Sequence, residues 1–257
     1  MPPLWRELAV LDQALGPAPP TPPRVRHGRP VLLIPGFLAG DDSLRPFADL
    51  LRAAGHQPHM SGIRCNVGCS DAAARGLVAA VERLAERAGQ PVALVGHSRG
   101  GLFARVVARR RPDLVASVVT MASPYRDQLA IHPLLWALAA ALATAGTLHV
   151  PGVLRWSCRG SGCCEDFARD LAAPLPRQVP ALSLYSRTDG VVDWRACVDS
   201  DTPSLEVAAT HCGMTLHGPT AWAVAAAISD LTPPARAPRR QRWDAARGSA
   251  TAASLAA

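Results

Sequence analysis

Between residues 31 and 231 the apolar positions follow two alternating rhythms. Val31 to Ile34 is a short unbroken apolar run closed by Pro35-Gly36, the form of a strand buried on both faces. Ser43 to Ala54 then spaces its apolar residues as a helix, with Ser43 as cap and Gly55 as stop. Ser70 can cap a second helix through Leu77, Val81 and Leu84 to Gly89, and Pro91 to Val95 is a second apolar run closed by Gly96. The alternation continues with a helix at Leu102 to Arg111 and strands at Val115 to Met121, Ala181 to Tyr185 and Leu205 to Ala209, before a last helix at Thr220 to Leu231. Strands separated by helices pair in parallel, because each crossover covers one face of the sheet. The pattern therefore predicts an α/β fold on a mostly parallel, doubly wound sheet spanning residues 31–232.

One connection is too long for this scheme. About sixty residues separate Met121 from Ala181, so the span of about 125–177 reads as an inserted helical lid. Its uncharged stretch from Leu129 to Leu154 is divided by Pro133, Gly146, Pro151 and Gly152, which suits a lid helix better than a membrane span. Within it Leu135, Leu138 and Leu142 recur at steps of three and four, one helical stripe that a soluble monomer is expected to bury. Flanking the domain, residues 1–30 form a proline-rich entry and residues 233–257 an Arg- and Ala-rich tail without periodicity, expected to be mobile.

Composition changes this picture only at the margins. A chain of 257 residues with 49% apolar and 18% charged content is one folded domain. The net charge of +7 invites a nucleic-acid reading, yet residues 231–257 hold +4 of it. All 27 basic residues are Arg and asparagine occurs once, at Asn66; such skew reflects codon bias, and no nucleic-acid partner is expected. Arg6, Glu7 and Asp12 interrupt the first fifteen residues, so no secretory signal is read there and a cytoplasmic location is expected. Seven cysteines are many for a reduced compartment, which keeps an extracytoplasmic location open. Their spacing lacks a repeated Cys-x-x-Cys, so no metal is expected. Local disulfides fit better: Cys65 with Cys69, and one of Cys158, Cys163 or Cys164 with Cys197.

The chemistry lies at strand ends. Gly96-His97-Ser98-Arg99-Gly100 follows an apolar strand and precedes a helix, the context of a sharp turn that projects a nucleophilic serine. A serine hydroxyl needs a base, and the base needs a carboxylate to orient it. Asp189 follows one downstream strand and His211 the next. Asp193 is the rival acid, but Asp189 stands beside Gly190, where a tight turn can aim its carboxylate. His217 is the rival base, but it abuts Gly218-Pro219 at a helix start, where capping explains it. His97 reads as a packing or hydrogen-bonding residue.

With Pro35-Gly36-Phe37, Gly96 to Gly101, Ala122-Ser123-Pro124, Asp189-Gly190-Val191-Val192 and Thr210-His211-Cys212-Gly213-Met214 in place, the sequence resembles the α/β-hydrolase superfamily, in particular its bacterial esterase/lipase-like members, over about residues 30–232. The resemblance implies an α/β-hydrolase fold with a helical lid and a catalytic triad of Ser98, Asp189 and His211. It also implies an oxyanion hole from the backbone N–H groups of Phe37 and Arg99. No His-Gly-Gly-Gly string stands near Phe37, which favours the lipase-like branch. The Arg99 side chain is expected to pair with a surface carboxylate, the alternative being an anionic substrate group. The activity implied is hydrolysis of small-molecule carboxylic esters with apolar acyl groups, without cofactor or metal. Alternatives are a thioesterase or amidase with the same triad, or a non-catalytic binding protein on the same fold. The stripe Leu135, Leu138 and Leu142 is expected to line the acyl site; left bare, it would meet lipid or protein, so peripheral membrane contact stays open.

Overall fold

The chain alternates strand and helix along its length: β1 (Pro30–Ile34), α1 (Arg45–Ala53), β2 (Gln57–Met60), α2 (Ser70–Ala88), β3 (Val92–His97), α3 (Arg99–Arg110), β4 (Val115–Met121), α4 (Pro133–Thr147), α5 (Glu165–Ala172), β5 (Ala181–Tyr185), β6 (Ser204–Glu206) and α6 (Gly218–Asp230). The structure is a computed structural model that describes residues 1–10, 24–25, 28–159 and 162–231. Residues 11–23 and 26–27 of the expected entry segment and the whole expected tail lie outside the described residues. The strands form one sheet in the order β2-β1-β3-β4-β5-β6, and every neighbouring pair is parallel.

Continuous apolar runs make the central strands because both faces are covered. Val31 and Leu33 of β1, with Ala93 and Val95 of β3, pack against Phe47 and Leu51 of α1 and Val224 and Ile228 of α6. The intervening residues Leu32, Ile34, Val92 and Leu94 face the other way, onto Leu77 and Val81 of α2, Phe103 and Val107 of α3, and Phe167 and Leu171 of α5. The period of two thus sorts one sequence into two cores.

β2 escapes the sequence pattern. Its residues Gln57-Pro58-His59-Met60 are half-buried or exposed and pair with β1 from Pro30↔Gln57 onward. As the edge strand it needs no apolar alternation, and Pro58 is tolerated there because one side of the strand donates no ladder bond. The third helix begins at Arg99, three residues before the pattern indicated, because the chain turns into it directly after Ser98.

Between β4 and β5 the span contains two different things. α5 buries Phe167 and Leu171 in the core, and Arg110 of α3 joins it to α2 through Asp170 at 2.7 Å and Asp71 at 2.6 Å. α4 buries only Ala143 and Gly146. The expected burial of the leucine stripe is not met: Leu135 and Leu142 are half-buried, and Leu138 is 41% exposed, beside Leu134 at 60% and Trp136 at 42%. The reason is compositional. With apolar residues around its whole circumference, α4 has no polar back to oppose the stripe, and its small residues make the approach instead. A Cβ on Gly146 would lie 2.2 Å from the Leu154 carbonyl oxygen. Among the described residues no helix is long and apolar enough to cross a membrane.

Candidate active site

β3 gives way to α3 within one residue. Ser98 has φ 52° and ψ −121°, a conformation that costs a side-chain-bearing residue ~1–3 kcal/mol. Its N–H donates to the Met121 carbonyl at 2.8 Å, and its carbonyl accepts from Gly101 N–H at 3.0 Å. Glycines create the clearance: a Cβ would lie 2.4 Å from Gly100 backbone if placed on Gly96, 2.1 Å from the Ile34 oxygen if on Gly100, and 2.0 Å from Ser123 Oγ if on Gly101. Across the turn, a Cβ on Gly36 would lie 3.1 Å from Ser98 Cβ, which puts the Pro35-Gly36-Phe37 loop beside the serine. Arg99 opens α3, so its N–H belongs to the helix-terminal donors without an intrahelical acceptor. Phe37 thus follows a residue that packs on the serine, and Arg99 follows the serine directly.

The Arg99 side chain does something unforeseen. It donates to the Asn66 carbonyl and Oδ1, both at 3.0 Å, to the Gly68 carbonyl at 2.7 Å and to Ser70 Oγ at 3.0 Å. No carboxylate pairs with it among the described residues, which corrects the expected surface ion pair. Burial pulls its pKa down to about 10, which leaves it charged at neutral pH.

Asp189 and His211 meet in the interior. His211 Nδ1–H donates to Asp189 Oδ2 at 2.7 Å, with 5% and 2% of the two residues exposed. The other carboxylate oxygen accepts from Val191 N–H at 2.7 Å and Val192 N–H at 2.8 Å, so the turn after β5 aims the group. Nδ1 carries the proton toward the acid, leaving Nε2 as the basic nitrogen. Burial alone would lower the His211 pKa, but the Asp189 charge and hydrogen bond, with Glu7 behind them, outweigh it and raise the pKa. The rivals are engaged elsewhere. Asp193 Oδ1 accepts from Arg195 N–H at 3.0 Å, capping a turn, and His217 Nδ1 meets Thr220 Oγ1 at 2.9 Å at the start of α6. His97 lies against His211 with ring centroids 4.8 Å apart and donates Nε2–H to the His211 carbonyl at 3.0 Å. Burial first, then the neighbouring His211, push its pKa down to about 3. It is a neutral brace.

Residues 29–146 match a family model described as alpha/beta hydrolase fold. In overall shape the chain is similar to the Bacillus licheniformis lipase BlEst2 in its mature form, with a TM-score of 0.57 and 17% identity over 80% of this chain and 93% of that one. The fold is thus the α/β-hydrolase fold. Among curated proteins, the chain is 35% identical over 107 residues to a triacylglycerol lipase of Pseudarthrobacter phenanthrenivorans, covering 38% of this chain and 33% of that enzyme. A triacylglycerol lipase of Burkholderia plantarii is likewise 35% identical over 107 residues, 30% of its length. The chain thus spans about a third of the curated relatives it matches.

Two residues of this candidate site were not legible in the sequence. Glu7, on a short 3-10 helix at Leu4–Leu8, accepts from Gly190 N–H at 2.8 Å and His211 N–H at 3.1 Å through Oε1, and from Cys212 N–H at 3.0 Å through Oε2. One carboxylate therefore ties the acid loop to the histidine loop. Its local sequence carries no signal, since the contact joins positions 204 apart. Asn66 donates from Nδ2 to the Pro35 carbonyl at 2.8 Å, and its own carbonyl accepts from Leu38 N–H at 3.3 Å. Buried at 2% exposure, it pins the loop that carries Phe37. That it is the chain's sole asparagine was a signal available to composition.

The cysteines depart from the expected pairing. Cys65 Sγ lies 3.5 Å from the Leu38 carbonyl, whereas Cys69 Sγ lies 3.8 Å from Cys163 and 3.4 Å from Cys164. Cys197 is buried in the turn after Asp193, away from the lid cysteines.

Two outcomes check the geometry. Gly100→Ala should lower unfolding free energy by ~1–3 kcal/mol or more, because the Ile34 carbonyl is backbone and has no rotamer with which to yield; an unchanged urea midpoint would contradict the crowding. Glu7→Gln removes a negative charge near His211, so the imidazole should titrate at lower pH than in the parent chain, followed by ring-proton NMR. An unmoved titration would mean that Glu7 acts on the loops without reaching the ring.

Proposed function

We propose that this α/β-hydrolase is a serine hydrolase cleaving carboxylic esters with apolar acyl groups. The observation that carries the reading is the buried His211–Asp189 pair at 2.7 Å, set against a serine on a strained strand-to-helix turn. Ser98 Oγ attacks the ester carbonyl while His211 Nε2 takes its proton, and Asp189 stabilises the imidazolium that forms. The Phe37 and Arg99 N–H groups take the negative charge on the former carbonyl oxygen. His211 then gives its proton to the leaving alkoxide, and water, deprotonated by the same histidine, releases the acid from the acyl-enzyme. The lipase names of the curated relatives support the ester class. Thioester or amide substrates would use the same groups, and a non-catalytic protein would leave Ser98 unreactive.

A fluorophosphonate probe should label the chain at Ser98 and fail on Ser98→Ala, with ester turnover down by about three orders of magnitude or more in that variant and in His211→Ala. A parent chain that resists the probe would refute the nucleophile. The pH dependence has a fixed sign. His211 must be neutral to act, and its pKa is raised, so the acid limb of kcat/KM should have its midpoint above the ordinary histidine value of about 6.5. Asp189→Asn removes the stabilising charge and should move that limb to lower pH while reducing the rate; a limb that stays in place would assign the acid role elsewhere.

The lipase names of the curated relatives support an apolar acyl group, and such a chain would cover the α4 residues that the fold leaves exposed. Leu138→Asp should leave stability within about 0.5 kcal/mol, as at an exposed site, yet slow long-chain esters several-fold more than acetyl esters. Equal loss on p-nitrophenyl acetate and p-nitrophenyl palmitate would remove α4 from the acyl site.

A further inference from the structure

Four cysteine thiols from distant parts of the chain converge at one point. Cys69, at the N-cap of α2, meets Cys158, Cys163 and Cys164 from the far end of the lid, and their four Sγ atoms all lie within 4.8 Å of one another. The closest approaches are 3.3 Å for Cys158–Cys163, 3.4 Å for Cys69–Cys164, 3.8 Å for Cys69–Cys163 and 3.9 Å for Cys163–Cys164. A Zn–S bond of about 2.3 Å with tetrahedral angles places sulfurs about 3.8 Å apart. The four thiols thus stand at the spacing of a tetrahedral all-thiolate shell, although their sequence order is not that of paired Cys-x-x-Cys motifs.

Charge supplies an independent argument. The Arg99 guanidinium is held by neutral acceptors on Asn66, Gly68 and Ser70, and the ionisable groups beside it are the thiols of Cys164, Cys158 and Cys69. A half-buried cation without a carboxylate is costly. Beside neutral thiols or disulfides it has the Phe37 and Phe103 rings, at 5.8 and 5.1 Å, and no anion among the described residues, whereas Zn2+ with four thiolates carries a net charge of about −2 and compensates it. A backbone donor points the same way. Arg155 N–H lies 3.4 Å from Cys158 Sγ, the placement of a donor that serves a thiolate ligand.

We propose that Cys69, Cys158, Cys163 and Cys164 bind one Zn2+ ion as thiolates, each thiol giving up its proton on binding. Four protein ligands leave no open position, so the site is structural. It fastens the end of the lid to the start of α2, beside the arginine whose backbone N–H flanks Ser98. The site stands independently of the hydrolase reading, because its readouts involve no turnover.

The test uses the full chain purified under reducing conditions after growth in zinc-supplemented medium. Elemental analysis should give about one zinc per chain, and Co2+ substitution should give the thiolate charge-transfer and d–d absorption of a tetrahedral sulfur site. Cys163→Ser should lose at least about nine-tenths of the metal, while Cys65→Ser, whose sulfur is outside the cluster, should retain it. Parent chain without zinc and without the cobalt bands would overturn the proposal, as would intact mass showing that the four thiols are oxidised to two disulfides. The cobalt spectrum is read on the parent chain, so poor folding of Cys163→Ser does not spare the proposal.

Discussion

Ser98 is held at a positive φ of 52°, and much of the architecture around it follows from that constraint. A chain that passes from strand to helix in one residue must bring β1, β3 and α3 to backbone contact, which only residues without Cβ permit. Gly96, Gly100 and Gly101 serve the turn itself, and Gly36 lets the neighbouring loop close on the serine. That loop carries Phe37 next to Gly36, and Arg99 follows the serine directly. The cost of the turn is met by core burial on both sides of β3, whose Val92 to Val95 are at most 1% exposed.

The histidine is controlled by a second constraint, the placement of buried charge. Asp189 is tolerable in the interior because backbone N–H groups and an imidazole N–H saturate it. Glu7 adds a second carboxylate on the backbone side, where it accepts three N–H groups and leaves the ring to Asp189. His97 completes the arrangement by staying neutral. A charged His97 at 4.8 Å would oppose protonation of His211, and burial removes that competitor.

What the sequence reveals follows from where each signal is stored. β1, β3 and β4 are legible because strands covered on two faces must be apolar throughout, and Ser98, Asp189 and His211 stand out because each closely follows a strand. β2 is silent because an edge strand is under no such demand. Glu7 and the joining of Cys69 to the lid are silent for another reason: both are contacts across most of the fold, and nothing local encodes them. The stripe on α4 misleads, since its three-four spacing is real while the helix around it is apolar on every side, so periodicity has no polar face from which to fix a direction.

The two ends of the span between β4 and β5 are held while its middle is not. At the entry, Ile131 bridges Val192 and His132 N–H donates to the Val191 carbonyl at 2.7 Å, two residues from Asp189. At the exit, Leu154 N–H donates to the Val67 carbonyl at 2.7 Å, and the four cysteines gather at α2. Val67 follows Asn66, which holds the Pro35 carbonyl, so the exit and the Pro35-Gly36-Phe37 loop share one anchor. α4 spans the gap with only Ala143 and Gly146 buried. Its register is therefore set by its anchored ends more than by its own packing, and a change at either anchor reaches the loop of Asp189 or the loop of Phe37 directly.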